Sequence, residues 1–535
     1  MGKQYFVLGI GGTGMRCIES LIHLCAMGMF DDTDIHLLAL DTDKNNGNFS
    51  RLKETAIAYM NIKGVDKANR VALSDTFFSA NIHYYEFAPN YEQRSTFRDV
   101  FNYGDTQYNH REQTDLADLV LTDNVEEFNL RHGYRAQTHL GSMMMYHSII
   151  EAARSPLQSD IKSYLQNIIT ASQNGNPRVF ILGSVFGGTG ASSIPIVPQA
   201  LSKAAAILSN GAVNVLQSCR FGSTLLTSYF SFKNPSSQEL AKQRVIATSD
   251  KFALNSQVAM MFYDDDTTVR NTYQRFYMMG TEGLEWDPMK KDESNINETI
   301  TGGERQKNDS HYIELLAACS ALDFFSVGDS ILSGNKQHFT TDYLYRAIDQ
   351  SGVFDFKDFV SQERENEFAR KFGLLIVFAL LCNGDDNFVE SVRTGRQKEI
   401  TGFESLDVNQ VDYLKKYFRL MFLKKEKDGS LSEGWLFQIH RSAGGGDKFL
   451  FNAKLFSASN YHELMKLRWN KFLYREDGIA KDHKYDVSLI SSQFDVFKKE
   501  FIKKMQGNSS NSITNTAERL YKMIYDTLSV LYKFE

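Results

Sequence analysis

The sequence predicts an α/β protein built on a Rossmann-like parallel sheet, and three observations lead to that prediction. Two apolar runs, YFVLGI at 5–10 and RVFILGSV at 178–185, have the length and composition of buried strands. Each is followed by a Gly-Gly-Thr-Gly turn, at 11–14 and 187–190, and then by a helical pattern. Another strand pattern at 35–43 follows the first helix, and a strand–helix–strand unit implies a parallel sheet.

The remaining elements follow from the spacing of apolar residues along the chain. Further strands are predicted at 213–221, 258–264 and 274–280. Helices are predicted at 17–30, 194–208 and 311–325, the last being apolar enough to run through the centre of a domain, and after residue 513. Residues 44–130 have weak periodicity and are predicted to be an insertion of helices and loops.

The length of 535 residues is enough for two or three domains. We predict a first α/β domain over 1–325 and a second α/β domain over 326–480. Apolar runs such as KFGLLIVFALL, GWLFQIHRS, KFLFNAKLF and KYDVSLI suggest the second domain. A helical extension is predicted over 481–535.

Composition excludes several classes of protein. The net charge of −6 and a pI near 6.1 give no basic field for nucleic acid. The longest apolar run has eleven residues from Phe372, against the roughly 20 of a membrane-spanning helix. The five cysteines form no CxxC pair and are expected to be reduced thiols. We therefore expect a cytoplasmic protein that neither binds nucleic acid nor spans a membrane.

Glycine turns at helix starts indicate phosphate binding, because they let several backbone N–H groups approach an anion. Gly9, Gly11 and Gly14 match the GxGxxG pattern of dinucleotide sites, and Asp41 ends the next strand where a ribose-binding carboxylate would lie. An NAD-binding oxidoreductase is therefore one interpretation. It leaves the second glycine turn without a role, whereas two loops closing on one ligand would use both. A P-loop is excluded, because neither turn is followed by Gly-Lys-Ser/Thr.

Four motifs resemble the nucleotide-binding loops of the tubulin/FtsZ superfamily, in that family's order. They are LGIGGTGMR at 8–16, ALDTD at 39–43, GYRAQTHLGS at 133–142 and FGGTGASSIPIV at 186–197. The segment GGERQKNDSHYIELLAA at 302–318 resembles the bacterial tubulin-like branch, in which an asparagine opening the central helix faces the base. The resemblance implies a nucleotide-binding domain of tubulin/FtsZ type over 1–325, with a central helix.

The resemblance also implies the ligands, GTP or GDP with Mg²⁺, and the residues that contact them. Gly9, Gly11, Gly12, Thr13, Gly14, Met15 and Arg16 belong to the loop at the α- and β-phosphates. Asp41, Thr42 and Asp43 would lie near the γ-phosphate and Mg²⁺, and Arg135 and Ala136 belong to the third loop. Gly187, Gly188, Thr189, Gly190 and Ala191 would surround the β- and γ-phosphates, and Asn308 would face the base.

Two positions depart from the family pattern. Arg16 stands where the family has an asparagine that reads guanine, which leaves the choice between guanine and adenine open. Asp41 replaces the asparagine of the family's N-T-D motif and adds negative charge to an anionic site. We expect a bound cation or Arg135 to offset that charge. We also expect Gly188→Val to abolish nucleotide binding without unfolding the protein, by filling the space of a phosphate.

The family resemblance implies GTP hydrolysis coupled to head-to-tail filament assembly, with other bacterial proteins as further candidate partners. In proteins of that family, catalytic acids act on the nucleotide of the next subunit. The nearest match to their motif in this sequence is VFDFKDF, with Asp355 and Asp358. The alternative for these two residues is an amphipathic surface turn. A nucleotide-binding scaffold or switch without hydrolysis, the NAD oxidoreductase and a purely structural partner protein are the alternative functions.

Overall fold

Seven parallel strands in one sheet organise the part of the chain that the structure describes. The computed structural model describes residues 4–64, 73–103, 111–231, 237, 248–281, 303–304, 306–333, 341–348, 362–383, 387–425, 431–442, 493–507 and 512–531. The strands of the sheet are β1 Gln4–Ile10, β2 Asp34–Leu40, β3 Asn81–Phe87, β4 Arg178–Leu182, β5 Arg220–Leu226, β6 Tyr273–Thr281 and β7 Asp342–Ile348. They lie in the order β3-β2-β1-β4-β5-β6-β7, and every neighbouring pair is parallel.

Helices connect these strands. Up to β6 they are α1 Gly11–Ala26, α2 Gly47–Lys63, α3 Phe97–Val100, α4 Arg111–Asp118, α5 Asp123–Glu126, α6 Thr138–Arg154, α7 Asp160–Asn174, α8 Gly188–Ser193, α9 Val197–Leu208, α10 Val215–Ser218, α11 Phe252–Asp265 and α12 Thr267–Thr272. Short 3₁₀ turns occur at Leu130–His132 and Ser249–Lys251.

The C-terminal part of the described chain is mostly helical. Its helices are α13 Tyr312–Ser326, α14 Asp329–Ser333, α15 Gln362–Asn383, α16 Phe388–Arg393, α17 Val408–Met421, α18 Trp435–Ser442, α19 Gln493–Gln506 and α20 Thr516–Leu531. Two short antiparallel strands, β8 Leu423–Lys425 and β9 Leu431–Glu433, pair with each other. None of the helices described here has the length and apolarity needed to cross a membrane.

The sheet separates two hydrophobic cores, because successive side chains of a strand point to opposite faces. On β1, Phe6 and Leu8 belong to the core that contains α6, α7 and α9, whereas Val7 belongs to the other. The second core contains α1, α2, the central helix α13 and the C-terminal helices. Helix α1 is buried along its whole length except at Gly12. The central helix α13 is predicted correctly, within one residue at each end.

Two strand predictions are wrong. Residues 258–264 belong to helix α11, in which Ser256, Ala259 and Tyr263 face the core while Val258 and Phe262 are exposed. A short apolar run does not distinguish a strand from a helix, and here the buried positions follow helical spacing. The strand predicted at 213–221 begins only at residue 220, because residues 215–218 form a short helix.

The segment 44–130 is not simply an insertion of helices and loops, as the sequence analysis predicted. Its first part forms α2, whose first turn is capped by the Asn46 side chain, and residues 81–87 form β3 beside β2. β3 is an edge strand in which only Ile82 and Phe87 are buried, so its apolar pattern is weak. Residues 47–63 and 81–87 therefore belong to the main α/β layer structure.

Downstream of the central helix, β7 extends the main sheet, and α15, α17 and α20 pack into the same hydrophobic core as α1. The predicted second-domain runs KFGLLIVFALL and GWLFQIHRS form α15 and α18, both helical. The runs at 448–456 and 484–490 lie outside the described residues. The boundaries at 326 and 480 remain predictions.

Arg51 of α2 links three parts of this core through hydrogen bonds. Its guanidinium donates to Glu19 of α1 at 2.9 Å, to Gln438 of α18 at 2.8 Å and to Ser310, just before the central helix, at 2.9 Å. Gln438 in turn donates to Asp309 at 3.0 Å and accepts from the Ser310 N–H at 2.9 Å. Helix α18 is thereby fixed to the segment that leads into the central helix.

Candidate functional site

Both glycine turns lie at the carboxyl edge of the sheet, where the strand order reverses. β1 pairs with β2 on one side and with β4 on the other, so the sheet grows outwards in two directions from this pair. Helix α1 begins at Gly11 after β1, and α8 begins at Gly188 after β4. An added Cβ at Gly11 would lie 3.6 Å from Thr189 Cβ, so the two turns are adjacent. Open parallel sheets bind ligands in the crevice at such a reversal.

Both helix starts at this crevice lack a side-chain cap. No described side chain caps the first turn of α1 or α8, and neither first turn contains an acidic residue. The first N–H groups of a helix have no partner within the helix, and the helix dipole places partial positive charge there. An anion bound at this point satisfies the donors and the dipole together.

The third loop packs directly against the second glycine turn. Arg135 and Ala136 have φ of 45° and 63°, a left-handed conformation that residues other than glycine rarely adopt. An added Cβ at Gly188 would lie 2.6 Å from Ala136 N, and one at Gly133 would lie 3.7 Å from Thr189 Oγ1. The strained backbone of this loop is held by its neighbours, which is typical of functional sites.

These loops line one cavity of about 1000 Å³ that opens to solvent. The predicted site residues that line it come from all four motifs and from the approach to the central helix: Gly11, Gly12, Thr13, Arg16, Asp41, Asp43, Arg135, Ala136, Gly187, Gly188, Thr189, Gly190 and Asn308. The structure therefore brings the sequence motifs together. The identity of their ligand remains a prediction.

Other predicted site residues lie behind the cavity wall, namely Gly9, Gly14, Met15, Thr42 and Ala191. An added Cβ at Gly9 would lie 2.6 Å from Gly14 O, and one at Gly14 would lie 2.5 Å from Leu182 O. These two glycines allow α1 to pack closely on β1 and β4. Met15 and Ala191 are buried in the two hydrophobic cores. Asp355 and Asp358 lie outside the described residues.

Sequence analysis missed several residues that line the cavity, among them Asn46, Gln306, Phe230 and Phe252. Asn46 carries a recognisable signal, because an asparagine directly before a helix is a common N-cap. Its side chain accepts from Asn48 N at 2.9 Å and donates to Gln306 Oε1 at 2.9 Å. Gln306 and the two phenylalanines come from segments without a periodic pattern, so their position could not be predicted.

Asp41 lines the cavity but is only 4% exposed. Burial raises the pKa of Asp41 to about 7; the hydrogen bond from Thr42 N at 2.7 Å opposes this rise, and the Asp43 carboxylate adds to it. The carboxyl group is therefore largely protonated at slightly acidic pH. Protonation offsets part of its charge near neutral pH, and the bound cation that the sequence analysis expected remains a prediction. The Arg135 guanidinium instead lies 6.0 Å from the centre of the Phe128 ring.

The raised pKa of Asp41 makes stability depend on pH. An unfolded aspartate has a pKa of about 3.9, so the native state binds this proton more strongly than the unfolded state between about pH 4 and 7. The contribution of Asp41 to the free energy of unfolding is largest below about pH 4 and decreases as the pH rises to about 7. Asp41→Asn should remove that fall, which urea unfolding at pH 5 and pH 8 would measure. Asp31→Asn, at an exposed position, is the control and should keep the wild-type slope.

Asp43 joins the second loop to the segment before the central helix. Its Oδ2 accepts from Gly303 N at 2.6 Å, and its Oδ1 accepts from Asn45 N at 3.0 Å. Gln306 and Asn308 of the same segment line the cavity. One carboxylate therefore lies at the cavity wall and also holds the segment that closes it.

Arg16 forms a buried ion pair within the cavity wall. Its Nε donates to Glu314 of the central helix at 2.5 Å, and the exposed fractions of the two side chains are 2% and 0%. Its Nη2 donates to Tyr229 Oη at 2.8 Å, and Tyr229 donates to the same Glu314 oxygen at 2.5 Å. Burial works against the charge of the guanidinium, but Glu314 and Tyr229 hold the pKa of Arg16 above its usual value. Arg16 is therefore a fixed cation in the wall.

No protein-family model and no curated protein matches the chain. Within the described residues there is no group of three or more His, Cys, Asp or Glu side chains placed to hold a metal ion. The function must therefore be argued from the cavity and its residues.

Proposed function

We propose that the chain is a guanine-nucleotide-binding protein of the tubulin/FtsZ type. The observation that carries this proposal is the pair of uncapped helix starts, at Gly11 and Gly188, that line one cavity. A nucleoside triphosphate has a chain of three anionic phosphates, and two helix starts offer it N–H donors and positive dipole ends from two sides. Residues from all four loop motifs line the same cavity, which supports the proposal.

The proposal gives each loop a role. The start of α1 binds the α- and β-phosphates, and the turn at 187–190 binds the β- and γ-phosphates. Mg²⁺ keeps most of its water ligands and needs only one or two protein oxygens, of which Asp43, at the cavity wall, would supply one. Asp41 fits beside a triphosphate because its raised pKa reduces its negative charge.

An NAD-type site is the main competitor, because its strand order, 3-2-1-4-5-6, matches the first six strands of this sheet. A dinucleotide fingerprint uses the glycine turn after the first strand. Here the turn after β4 is equally rich in glycine and also begins an uncapped helix at the cavity. This second turn favours a polyphosphate that is bound from both sides.

Titration calorimetry with GTP and NAD, each in the presence of Mg²⁺, tests the proposal. We expect GTP to bind and NAD to bind at least tenfold more weakly, because NAD has two phosphates and places them at one glycine turn. Preferential binding of NAD would overturn the proposal in favour of an oxidoreductase.

We propose further that GTP is hydrolysed at contacts between subunits in a head-to-tail filament. A heterologous contact of this kind builds open filaments. Asp41 and Asp43 line the described cavity, but the first is only 4% exposed and two backbone N–H groups engage the second. Neither is placed as an obvious base for water, so catalytic acids from a neighbouring subunit are the natural source. Asp355 and Asp358 are the candidates.

The filament proposal predicts that the specific GTPase activity rises with protein concentration above a threshold. Phosphate release across a concentration series, together with light scattering, measures this. Asp355→Ala and Asp358→Ala should keep GTP affinity near that of the wild type and lose phosphate release. Activity strictly proportional to concentration, with only monomers in negative-stain images, would contradict assembly-dependent hydrolysis.

A nucleotide-binding switch or scaffold without hydrolysis is the second candidate. The burial of Asp41 and the two backbone N–H groups that engage Asp43 favour it, because they limit the access of water to these two carboxylates of the cavity. It predicts GTP binding without phosphate release at any protein concentration. The same concentration series therefore decides between the two.

A further inference from the structure

Helix α11 presents an apolar stripe to solvent, on the side opposite to the one that packs on the core. Four side chains, each between 51% and 59% exposed, form this stripe: Leu254, Val258, Met261 and Phe262. Their spacing places them within roughly 100° of the helix circumference, whereas the buried residues of α11 lie on the other side. Single exposed apolar residues are common in soluble proteins, but a contiguous group of them marks an interaction surface.

Opposite charges lie at the two ends of the stripe. Lys251 precedes the first residue of α11 with a right-handed helical backbone, and Asp265 is the last residue of the helix. Helical geometry directs both side chains within roughly 30° of the middle of the stripe, whereas Asp250 and Asp264 point roughly 70° or more away from it. Lys251 and Asp265 are exposed, and neither forms an ion pair with another described residue.

The stability of α11 itself does not explain these two charges. A helix carries partial positive charge at its start and partial negative charge at its end, so acids stabilise the start and bases the end. The first turn of α11 contains no acidic residue and its last turn contains no basic one. Lys251 and Asp265 are thus each at the unfavourable end. An antiparallel helix from another molecule would bring an opposite charge and an opposite dipole end to both of them.

The stripe has the same pattern of residue types when it is read in either direction. Val258 lies midway between Leu254 and Phe262, four residues from each. It also lies midway between Lys251 and Asp265, seven residues from each. A two-fold axis at Val258 would therefore bring apolar side chains together and pair each lysine with an aspartate. Two-fold contacts are self-complementary in this way, because the same patch serves both subunits.

We infer that the α11 stripe is a self-association surface, on which a second copy of the chain packs its own α11 antiparallel about a two-fold axis at Val258. The contact buries both stripes and forms two Lys251–Asp265 ion pairs. A two-fold contact closes on itself, so it differs from the head-to-tail contact of the proposed filament. None of its residues lines the nucleotide cavity. The inference therefore does not rest on the proposed function.

Sedimentation of the full chain over a concentration series, without nucleotide and with EDTA, tests the inference. One pair of helices gives a smaller contact than the roughly 1,600 Å² of a standard interface, so we expect a weak dimer with a Kd of roughly 10–100 µM. A protein that remains monomeric well above that range would overturn the inference. Because no nucleotide is present, this result is separate from success or failure of GTP binding.

Val258→Asp places two like charges across the two-fold axis and should raise the dimer Kd at least about tenfold. Leu216→Asp is the matched control, because it makes the same type of change at an exposed apolar position of another helix, α10. It should keep the wild-type Kd, and circular dichroism checks that both variants fold. Undiminished dimerisation of a folded Val258→Asp variant would overturn the inference.

A charge exchange tests the antiparallel arrangement. Lys251→Glu and Asp265→Lys each replace two attractive pairs with two repulsive ones, so each should raise the dimer Kd about tenfold. Both changes favour the dipole of α11, so a weaker dimer would not result from a less stable helix. The double variant restores both pairs with reversed sign, and its Kd should return to within about threefold of the wild-type value. A double variant that dimerises no better than the single ones would overturn the inference.

Discussion

Replacing Gly187 with aspartate is expected to weaken GTP binding by at least a hundredfold while the protein stays folded. Gly187 precedes α8 with φ −92° and ψ 173°, an extended backbone that any residue adopts. The atom nearest to an added Cβ is Ser184 Oγ, at 3.9 Å, and Gly187 lines the cavity. The side chain therefore has room, and its carboxylate would lie where the proposed phosphates bind. Two like charges about 4 Å apart repel by about 4 kcal/mol at an effective dielectric constant of 20.

Gly187→Asn is the matched control, since it has nearly the same shape without the charge. Calorimetric titration of both variants with GTP, with circular dichroism to check folding, separates charge from bulk. A much smaller loss for the asparagine variant would support an anionic ligand at this turn. Equal affinities for the wild type and the aspartate variant would refute the placement of the phosphates.

Gly188→Val, which the sequence analysis singled out, is a poorer test than expected. An added Cβ at Gly188 would lie 2.6 Å from Ala136 N and 3.0 Å from Arg135 N, so it would displace the third loop. Any loss of binding would then follow from a distorted loop rather than from an occupied phosphate site. A substitution at Gly187 distinguishes an occupied phosphate site from a distorted loop, because a side chain there does not contact the third loop.

Arg16→Met is expected to lower the free energy of unfolding by about 3–5 kcal/mol, because it leaves the Glu314 carboxylate buried without its cation. Glu314 is fully buried, so water cannot replace the guanidinium. Two donors to Glu314 remain, from Tyr229 at 2.5 Å and from the N–H of His311 at 3.0 Å, but neither carries a positive charge.

Denaturant unfolding of Arg16→Met, Glu314→Gln and the double variant measures this pair without any ligand. The double variant should be more stable than the sum of the single effects predicts, because neutral glutamine does not need the cation. Arg393→Met removes the cation of a more exposed pair with Glu390 and should have a much smaller effect. Additive single effects would show that Arg16 and Glu314 do not depend on each other.

The sequence predicted a parallel sheet, its strands β1, β2, β4 and β6, and the position of the glycine turns, because these follow from local patterns. A buried strand followed by a glycine turn, or an apolar helix, can each be recognised within one short segment of the sequence. The helix at 258–264 was mistaken for a strand because its apolar run is short and carries an apolar surface on two sides. β3 was missed because edge strands are only partly buried and lose their alternating pattern.

The chemistry of the site depended on contacts between distant residues, which local patterns do not contain. The partner of Arg16 lies 298 residues away on the central helix, and Asn48 and Asn308 are 260 residues apart. The pKa of Asp41 depends on its burial by several loops. Sequence motifs could therefore place these residues near a ligand, but not show which of their atoms remain available to it.

The hydrogen bonds of Arg51 also affect how the molecule opens locally. Because Arg51 and Gln438 hold residues 309–310, the segment beside the cavity cannot detach unless α18 gives up its bonds as well. The two regions should then form one cooperative unit in native-state hydrogen exchange, although more than a hundred residues separate them in the chain. A ligand that contacts residues 306–308 would slow amide exchange in Trp435–Ser442 without touching that helix.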